Sequence, residues 1–311
     1  MYDKDSCTPL RNAYHAGAVF FGHIVKLHKS IDEQIELLKS RGLIINDEGL
    51  AKKTLLNINY YRLSGYLYQF KLENGKYEAG LTFERLLDLY TFDSKFTRIL
   101  MYALENIEET LKTRFSYSLS SAFPQEPLIY MDSKIYKDSK ELNKFVTLFG
   151  KAKTDNSGLP FIKHYNSKYN GDLPVWVAVE IMTMGNIYKL YKNLKTSLQK
   201  SIAKKHGTGV VQLTSWIENL TYTRNHLAHY MRIYGYNFGR TPANCASYLS
   251  TNPNGMIFEQ IVAMGLMFSD KGEWKKSVVS EIKNLIDNYR NSIELEDLGF
   301  PQNWESILSS L

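Results

Sequence analysis

Cysteine and proline are scarce in this chain, which contains two cysteines and eight prolines in 311 residues. The cysteines, Cys7 and Cys245, form no CxxC pair, and the spacings of four-ligand zinc sites are absent. A disulfide-stabilised scaffold and a zinc finger are therefore excluded. So few cysteines are typical of a protein in a reducing compartment, and we expect a cytoplasmic location.

Long hydrophobic runs are also missing. The longest apolar stretch near the N-terminus, Ala16 to Phe21, is interrupted by Gly17 and followed by Gly22 and His23. This stretch is too short, and too polar at its edges, for a signal peptide or a transmembrane helix. We therefore expect no association with a membrane.

Strand-like alternation of apolar and polar residues is nearly absent, whereas helical periodicity is strong. No Gly or Pro occurs from Thr82 to Ala122, the longest helical stretch, which Asp93 and Ser94 are predicted to divide into a short helix and a long one. Its apolar positions follow the i, i+3, i+4 pattern: Phe96, Ile99, Leu100, Ala103, Ile107, Leu111 and Phe115. We predict an all-α fold.

The patterns divide the chain into four segments. These are an irregular arm, an N-terminal helical subdomain, a larger helical domain and a C-terminal helical segment, at residues 1–25, 26–80, 81–245 and 246–311. The subdomain should contain a helical hairpin, because Ser30 to Glu33 reads as a capping box and a second helix is predicted from Asp47 to about Ile58. Packing is the simpler role for this hairpin, since no basic recognition face stands out.

The larger domain contains an insertion at about 124–173 that is rich in Lys and Tyr and has one predicted helix, near 138–149. The formal net charge of +6 permits a polyanionic partner without requiring one. A solvated basic face is the simpler interpretation of these lysines, and contact with RNA phosphates is the alternative. The candidates for RNA contact are Arg62, Lys163, Lys168, Lys200, Lys204, Lys205 and Arg232.

A further helix, predicted from about Thr208 to Tyr230, carries the residues with the clearest chemical potential. Arg224 occupies the middle of an otherwise apolar stripe, where it needs either a carboxylate partner or a polar seam. The stripe consists of Leu213, Ile217, Leu220, Leu227, Ala228 and Met231. A polar ridge lies beside it and consists of Glu218, Thr221, Asn225, His229 and Arg232.

Arg224 and His229 together have the chemistry of RNA cleavage. Histidine can take a proton from a ribose 2′-hydroxyl, arginine can stabilise a charged phosphate, and Asn225 can orient either group. The two residues lie about 140° apart around an ideal helix, which favours a composite site shared by two copies of the chain. Spacing alone favours the other interpretation, a structural arginine with a surface histidine. No metal site or cofactor is predicted.

Four segments, in this order, resemble the Abi-like family of abortive-infection proteins, the AbiD/AbiF group. They read NYYRLSGYLYQF, TFERLLDLYTFDSKFTRILMYALENIEETLKTRFSYSL, LPVWVAVEIMTMGNIYKL and TRNHLAHYMRIYGY, at 59–70, 82–119, 173–190 and 223–236. The resemblance covers about residues 30–304. It implies a HEPN-type helical bundle, a class that includes RNA-cleaving toxins that commonly act as dimers with a shared cleft.

The resemblance also implies roles for particular residues. The Arg-x4-6-His motif of HEPN nucleases falls on Arg224 and His229, with Asn225 as the polar residue after the arginine. The family's IExxxR pattern begins at Ile107-Glu108, and its arginine position is occupied by Lys112, with Arg114 two residues further on. Glu108, Lys112 and Arg114 are therefore expected to support the site, and either Lys112 or Arg114 fills the arginine role.

The sequence thus predicts a metal-independent endoribonuclease of an anti-phage abortive-infection system, acting as a homodimer. The alternative is an RNA-binding protein, bound to or regulated by a small noncoding RNA, with little or no cleavage activity. Some AbiF-like members are associated with such an RNA. The basic charge of the chain does not separate these two functions.

Overall fold

The computed structural model describes residues 18–20, 23–248 and 254–311. Within these residues the chain consists of α-helices and short 3₁₀ turns, with one pair of three-residue strands, so the predicted all-α class is confirmed. The chain divides into two compact units, Met1–Leu87 and Asp88–Leu311. Most of the predicted arm at 1–25 lies outside the described residues.

The first unit contains a short strand pair and a helical hairpin. Its elements are β1 (Ala18–Phe20), β2 (His23–Val25), α1 (Ile31–Ser40), α2 (Glu48–Asn57) and α3 (Tyr60–Tyr66). β1 and β2 pair antiparallel, which the sequence pattern did not predict. The capping box is present, because the Ser30 hydroxyl accepts from the Glu33 N–H and the Glu33 carboxylate accepts from the Ser30 N–H. α1 and α2 pack together, so the predicted hairpin is confirmed.

A single uninterrupted helix, α4, spans Phe83–Ala122. The expected division at Asp93 and Ser94 is therefore wrong. The Asp93 side chain is 2% exposed and accepts hydrogen bonds from two backbone N–H groups far along the chain, so it ends no helix. Six of the seven predicted apolar positions are fully buried: Phe96, Leu100, Ala103, Ile107, Leu111 and Phe115.

The insertion at 124–173 contains two helices rather than one. They are α5 (Ser139–Asp155) and α6 (Pro160–Lys168). Pro160 occupies the first turn of α6, where its missing N–H costs nothing, and this signal for a helix start was overlooked. Phe145 and Phe149 of α5 stack on each other and contact the Tyr130 ring edge-on, within the insertion. α5 also packs against α8, which lies outside the insertion in the second unit.

Three short helices follow: α7 (Val175–Ala178), α8 (Met184–Asn193) and α9 (Thr196–Lys205). α8 begins with a capping box. Thr183 is the N-cap, and its hydroxyl and the side chain of Asn186 accept from each other's backbone N–H. Gly185 lies inside the first turn of the helix.

The remaining helices complete the second unit. They are α10 (Val210–Ala228), α11 (Ile257–Met267), α12 (Lys271–Glu273), α13 (Ser280–Tyr289) and α14 (Trp304–Ser310). A π-helical segment, Trp274–Val279, joins α12 to α13. α11 was missed because it is apolar on nearly every side, and such a helix lacks the periodicity of a surface helix.

Candidate functional site

The C-terminal end of α10 forms a tight turn that carries His229. His229 is the C-cap, so the helix ends slightly earlier than predicted. Tyr230 follows with φ +55°, the left-handed conformation that glycine usually supplies at this position. The N–H of Met231 donates to the carbonyl of His226 (3.1 Å), and that of Tyr230 to the carbonyl of Leu227 (2.9 Å). This is a Schellman motif, and it determines where the His229 side chain leaves the helix.

The apolar stripe of α10 is buried along most of its length. Leu213, Ile217 and Leu220 are fully buried, and Leu227 is 1% exposed. Met231 does not continue the stripe, as had been predicted, because it lies beyond the left-handed turn and is 53% exposed.

Arg224 is paired with a carboxylate, which is one of the two arrangements that its place on the stripe required. Its Nε lies 3.6 Å from Oε2 of Glu108 on α4, and the other oxygen of Glu108 lies 3.0 Å from Nζ of Lys112. The Glu108 side chain is 15% exposed, whereas that of Arg224 is 35% exposed. One partly buried carboxylate therefore holds two cations, and Arg224, held through Nε, keeps about a third of its side chain exposed to solvent.

Asn225 and His229 lie on the exposed side of the same helix end. The N–H of His229 donates to the carbonyl of Asn225 (3.1 Å), so the two residues keep the one-turn relation predicted from their spacing. Among the described residues, the His229 imidazole makes no hydrogen bond. An exposed imidazole can meet a ligand that approaches from solvent.

His226 is buried and structural. Its side chain is 8% exposed, and its Nε2–H donates to the carbonyl of Arg232 (2.8 Å). Burial lowers the pKa of His226, partly opposed by this hydrogen bond. The ring also lies 4.3 Å from the Tyr236 ring, measured between centroids. Loss of His226 would therefore disturb the turn after α10.

Asp93 fixes the segment that follows this turn, and sequence reasoning missed it. Its two carboxylate oxygens accept from the N–H groups of Ile233 (3.0 Å) and Tyr234 (2.9 Å). An acidic residue buried inside a long apolar helix needs such partners, and that requirement was the available signal. His226 and Asp93 thus hold the chain on the C-terminal side of His229.

Arg114 is not part of the Arg224 cluster. Its Nη1 lies 3.2 Å from Nδ1 of His206, which caps the end of α9. Burial and the nearby Arg114 charge lower the pKa of His206 to about 4. Of the two candidates for the supporting cation, the structure places Lys112, and not Arg114, against Glu108 and hence beside Arg224.

The basic residues predicted to contact RNA occupy different helices. Arg62 is exposed on α3 of the first unit. In the second unit, Lys163 and Lys168 are exposed on α6, Arg232 is half-buried after α10, and three lysines are exposed on α9: Lys200, Lys204 and Lys205. Lys205 lies over the Tyr117 ring, 4.0 Å from its centroid.

Two further observations on the described residues concern metal sites and membrane-spanning helices. Among them, no group of three or more His, Cys, Asp or Glu side chains is placed to hold a metal ion. None of the helices described is long and apolar enough to cross a membrane.

Comparison with known proteins gives a match to one family, and the matched residues include most of this site. A sequence model described as Abi-like protein matches residues 53–235, which is more than half of the chain and includes Glu108, Arg224 and His229. No curated protein and no solved structure matches the chain.

Proposed function

Because the chain belongs to the Abi-like protein family and so has a function related to abortive infection, we propose that it is a metal-independent endoribonuclease of HEPN type. The catalytic residues are Arg224 and His229, and Asn225 orients the phosphate or the histidine. The observation that carries the proposal is the ion pair between Glu108 and Arg224. The Glu108 carboxylate holds Arg224 through Nε, while the arginine side chain stays 35% exposed. Arg224 lies on the turn of α10 that precedes His229.

The reaction is an attack of the ribose 2′-oxygen on the adjacent phosphorus. His229 takes the proton of the 2′-hydroxyl as the O2′–P bond forms, and the P–O5′ bond then breaks as the leaving 5′-oxygen takes a proton from water. Protonated His229 then gives its proton to the resulting hydroxide, which restores the free base. The outer N–H groups of Arg224 stabilise the negative charge on the phosphorane oxygens. The products are a 2′,3′-cyclic phosphate and a 5′-hydroxyl. DNA is not a substrate, because it lacks the 2′-hydroxyl.

Lys112 fills the role of the family's second cation in this proposal. Its ammonium and the Arg224 guanidinium share Glu108, so the three side chains have a net charge of about +1 before RNA binds. A carboxylate between two cations holds both cations in place. The three side chains together keep a net positive charge, which attracts a phosphate. Lys112 and Glu108 are therefore positioning residues, and neither needs to touch RNA.

The proposed active form is a homodimer in which one copy supplies Arg224 and the other supplies His229. The two positions diverge by about 140° around α10, so one helix does not direct both side chains at one phosphate. Exposed aromatic and apolar side chains surround the end of α10, including Tyr230 at 74% and Met231 at 53%, and such side chains are suited to contact a second copy.

The test is a cleavage assay on total cellular RNA with purified wild type, Arg224→Ala and His229→Ala. Loss of a positioned acid or base costs on the order of 10²–10⁴ in rate, so both variants should be almost inactive. Cleavage should persist in EDTA and leave 2′,3′-cyclic phosphate ends. His28→Ala, at an exposed histidine of the first unit, is the matched control and should retain full activity. Full activity of His229→Ala, or a strict requirement for a divalent metal, would overturn the mechanism.

Mixing the two inactive variants tests the dimer. If Arg224 and His229 act across the interface, a mixed dimer contains one intact site, and about a quarter of wild-type activity should return on mixing. If both residues act within one copy, every site in a mixed dimer carries one substitution and no activity returns. Light scattering that shows only a monomer, with and without RNA, would also exclude the composite site.

A second candidate function is RNA binding with little cleavage, in which the bound RNA is a small noncoding RNA. It is favoured by one observation, which is that no described residue orients the His229 imidazole by a hydrogen bond, whereas catalytic bases are usually oriented by a third group. Wild-type protein that binds RNA with salt-dependent affinity, yet produces no new ends in the cleavage assay, would select this function over the first.

A further inference from the structure

We propose that Arg114, His206 and Lys271 form a second phosphate-binding site, which holds the RNA backbone outside the cleavage site. The proposal rests on the proposed RNA substrate but uses different residues, contributed by α4, by the residue capping α9 and by α12. Its ligand is a phosphodiester, and the same chemistry would admit inorganic phosphate.

The geometry around His206 fixes its protonation. An arginine N–H can only donate, so Nδ1 of His206 accepts from Nη1 of Arg114 at 3.2 Å. The imidazole is then neutral and carries its proton on Nε2. That Nε2–H is buried and has no hydrogen-bond partner. A buried donor without an acceptor costs about 1–3 kcal/mol, so this side of the cluster lacks an oxygen.

Lys271 brings a second positive charge to Arg114. Its Nζ donates to the carbonyl of Gly265 (2.6 Å), which holds the ammonium at the end of α11. Burial, and then the charge of Arg114, lower the pKa of Lys271. The same arginine charge contributes to the low pKa of His206. The Arg114 charge therefore acts on both His206 and Lys271.

The cluster has no balancing carboxylate among the described residues. Neither Arg114 nor Lys271 forms an ion pair there. The acidic residues nearest to Lys271 along the chain have other partners, because Asp270 accepts from the N–H of Glu273 (2.9 Å) and the Glu273 carboxylate accepts from the Tyr102 hydroxyl (2.9 Å). Unbalanced like charges repel each other, and an anion bound between them would remove the repulsion.

An exposed aromatic ring and a further lysine adjoin the cluster. Tyr117 lies one turn beyond Arg114 on α4 and is 64% exposed, and Lys205, next to His206, covers its ring at 4.0 Å. Exposed rings beside cations are the usual elements of single-strand binding surfaces, in which bases stack on rings while phosphates meet the cations. This neighbourhood favours a nucleic acid over a small free anion as the physiological ligand.

The second site is separate from the Arg224 cluster. Along α4, Arg114 lies about 9 Å beyond Glu108 and about 120° around the helix. A phosphate held by Arg114 therefore cannot be the one that Arg224 stabilises. The second site would instead hold a neighbouring stretch of the same strand and raise affinity without taking part in the reaction.

The first experiment measures RNA affinity against salt in the His229→Ala background, which prevents cleavage. We expect Arg114→Gln/Lys271→Gln to bind more weakly at low salt and to lower the slope of log affinity against log salt by about 0.7, the contribution of one single-strand phosphate contact. Arg98→Gln removes one charge from an exposed position on the same helix and is the matched control. An unchanged slope in the double variant, with normal binding by the parent, would overturn the second site and leave the proposed function intact.

The second experiment does not depend on RNA. Inorganic phosphate should raise the thermal unfolding midpoint more than chloride at equal ionic strength, because it binds the folded state. The double variant should lose this difference, whereas Arg98→Gln should keep it. Equal phosphate effects in wild type and the double variant would overturn the site even if RNA were cleaved. Absence of RNA binding and cleavage, with the phosphate effect retained, would reject the proposed function and leave an anion site.

Discussion

Asp93, buried within α4, accepts a 2.9 Å hydrogen bond from the backbone N–H of Tyr234, which lies 141 positions further along the chain. Its other oxygen accepts from the N–H of Ile233. This carboxylate attaches the segment after His229 to the same helix that carries Glu108. The proposed catalytic arginine and the chain beyond the proposed catalytic histidine are thus both held by acidic residues of α4.

Replacing Asp93 by alanine should destabilise the second unit. Two buried N–H groups would lose their acceptor, at about 1–3 kcal/mol each, so we expect the free energy of unfolding to fall by about 2–6 kcal/mol. Urea denaturation followed by circular dichroism measures the change. Asp287→Ala, at an exposed aspartate paired only with Arg290 one turn away, is the matched control and should change stability by less than about 1 kcal/mol. Equal effects of the two substitutions would contradict the role assigned to Asp93.

Replacing Glu108 by glutamine should reduce cleavage while the position stays filled by a side chain of the same shape. The variant keeps the shape of the side chain but loses the charge shared by Lys112 and Arg224, so the guanidinium is no longer fixed. We expect the free energy of unfolding to fall by about 2 kcal/mol, less than for a fully buried pair because Arg224 is partly exposed. At a temperature where the variant stays folded, kcat should fall while KM for RNA changes little.

The neighbouring residue gives a control for Glu108. Glu109 lies on the exposed side of α4, and Glu109→Gln removes the same charge without touching Arg224. It should leave kcat unchanged. If Glu108→Gln cleaves RNA at the wild-type rate, Arg224 does not depend on this carboxylate for its position.

Replacing Tyr230 by glycine should stabilise the fold. The left-handed conformation at φ +55° costs a residue with a Cβ about 1–2 kcal/mol, and the greater freedom of glycine in the unfolded chain offsets part of the gain. We expect a net increase of at most about 1 kcal/mol in the free energy of unfolding. Tyr117→Gly, at an exposed tyrosine inside α4, should lose about 1 kcal/mol instead. A loss of similar size at both positions would show that Tyr230 makes contacts that outweigh its strain.

Local sequence signals predicted much of the fold. The capping box at Ser30 located α1, since its side chains bond the backbone of their own turn. The long periodic stretch predicted α4, and the apolar stripe predicted α10 to within two residues at each end. The pairing of Arg224 with a carboxylate was also predictable, because an arginine on a buried stripe requires one of very few arrangements.

Features that depend on distant parts of the chain were not predictable in this way. Asp93 was read as a possible helix break because its partners, Ile233 and Tyr234, are separated from it by most of the second unit. α11 is buried on nearly all sides, so the periodic signal of a surface helix was absent. The left-handed turn at Tyr230 carries no glycine to mark it. The contact of Arg114 with His206 likewise depends on how α4 packs beside the end of α9.

His206 should make the stability of the second unit depend on pH. Its pKa is lowered to about 4 in the folded chain by burial and by Arg114, and an unfolded histidine titrates near 6.5. Between these values the unfolded chain binds more protons, so the free energy of unfolding falls as the pH is lowered from about 6.5 to about 4, by up to about 3 kcal/mol. Urea denaturation at about pH 7 and about pH 4.5 measures this loss.

His206→Asn keeps an acceptor for Arg114 but does not titrate, so it should lose less stability between the two pH values. His226, whose pKa is also lowered, contributes in the same direction, so some pH dependence should remain in this variant. His28→Asn replaces an exposed imidazole and should behave as wild type. If His206→Asn shows the full wild-type loss, the imidazole is not held neutral beside Arg114.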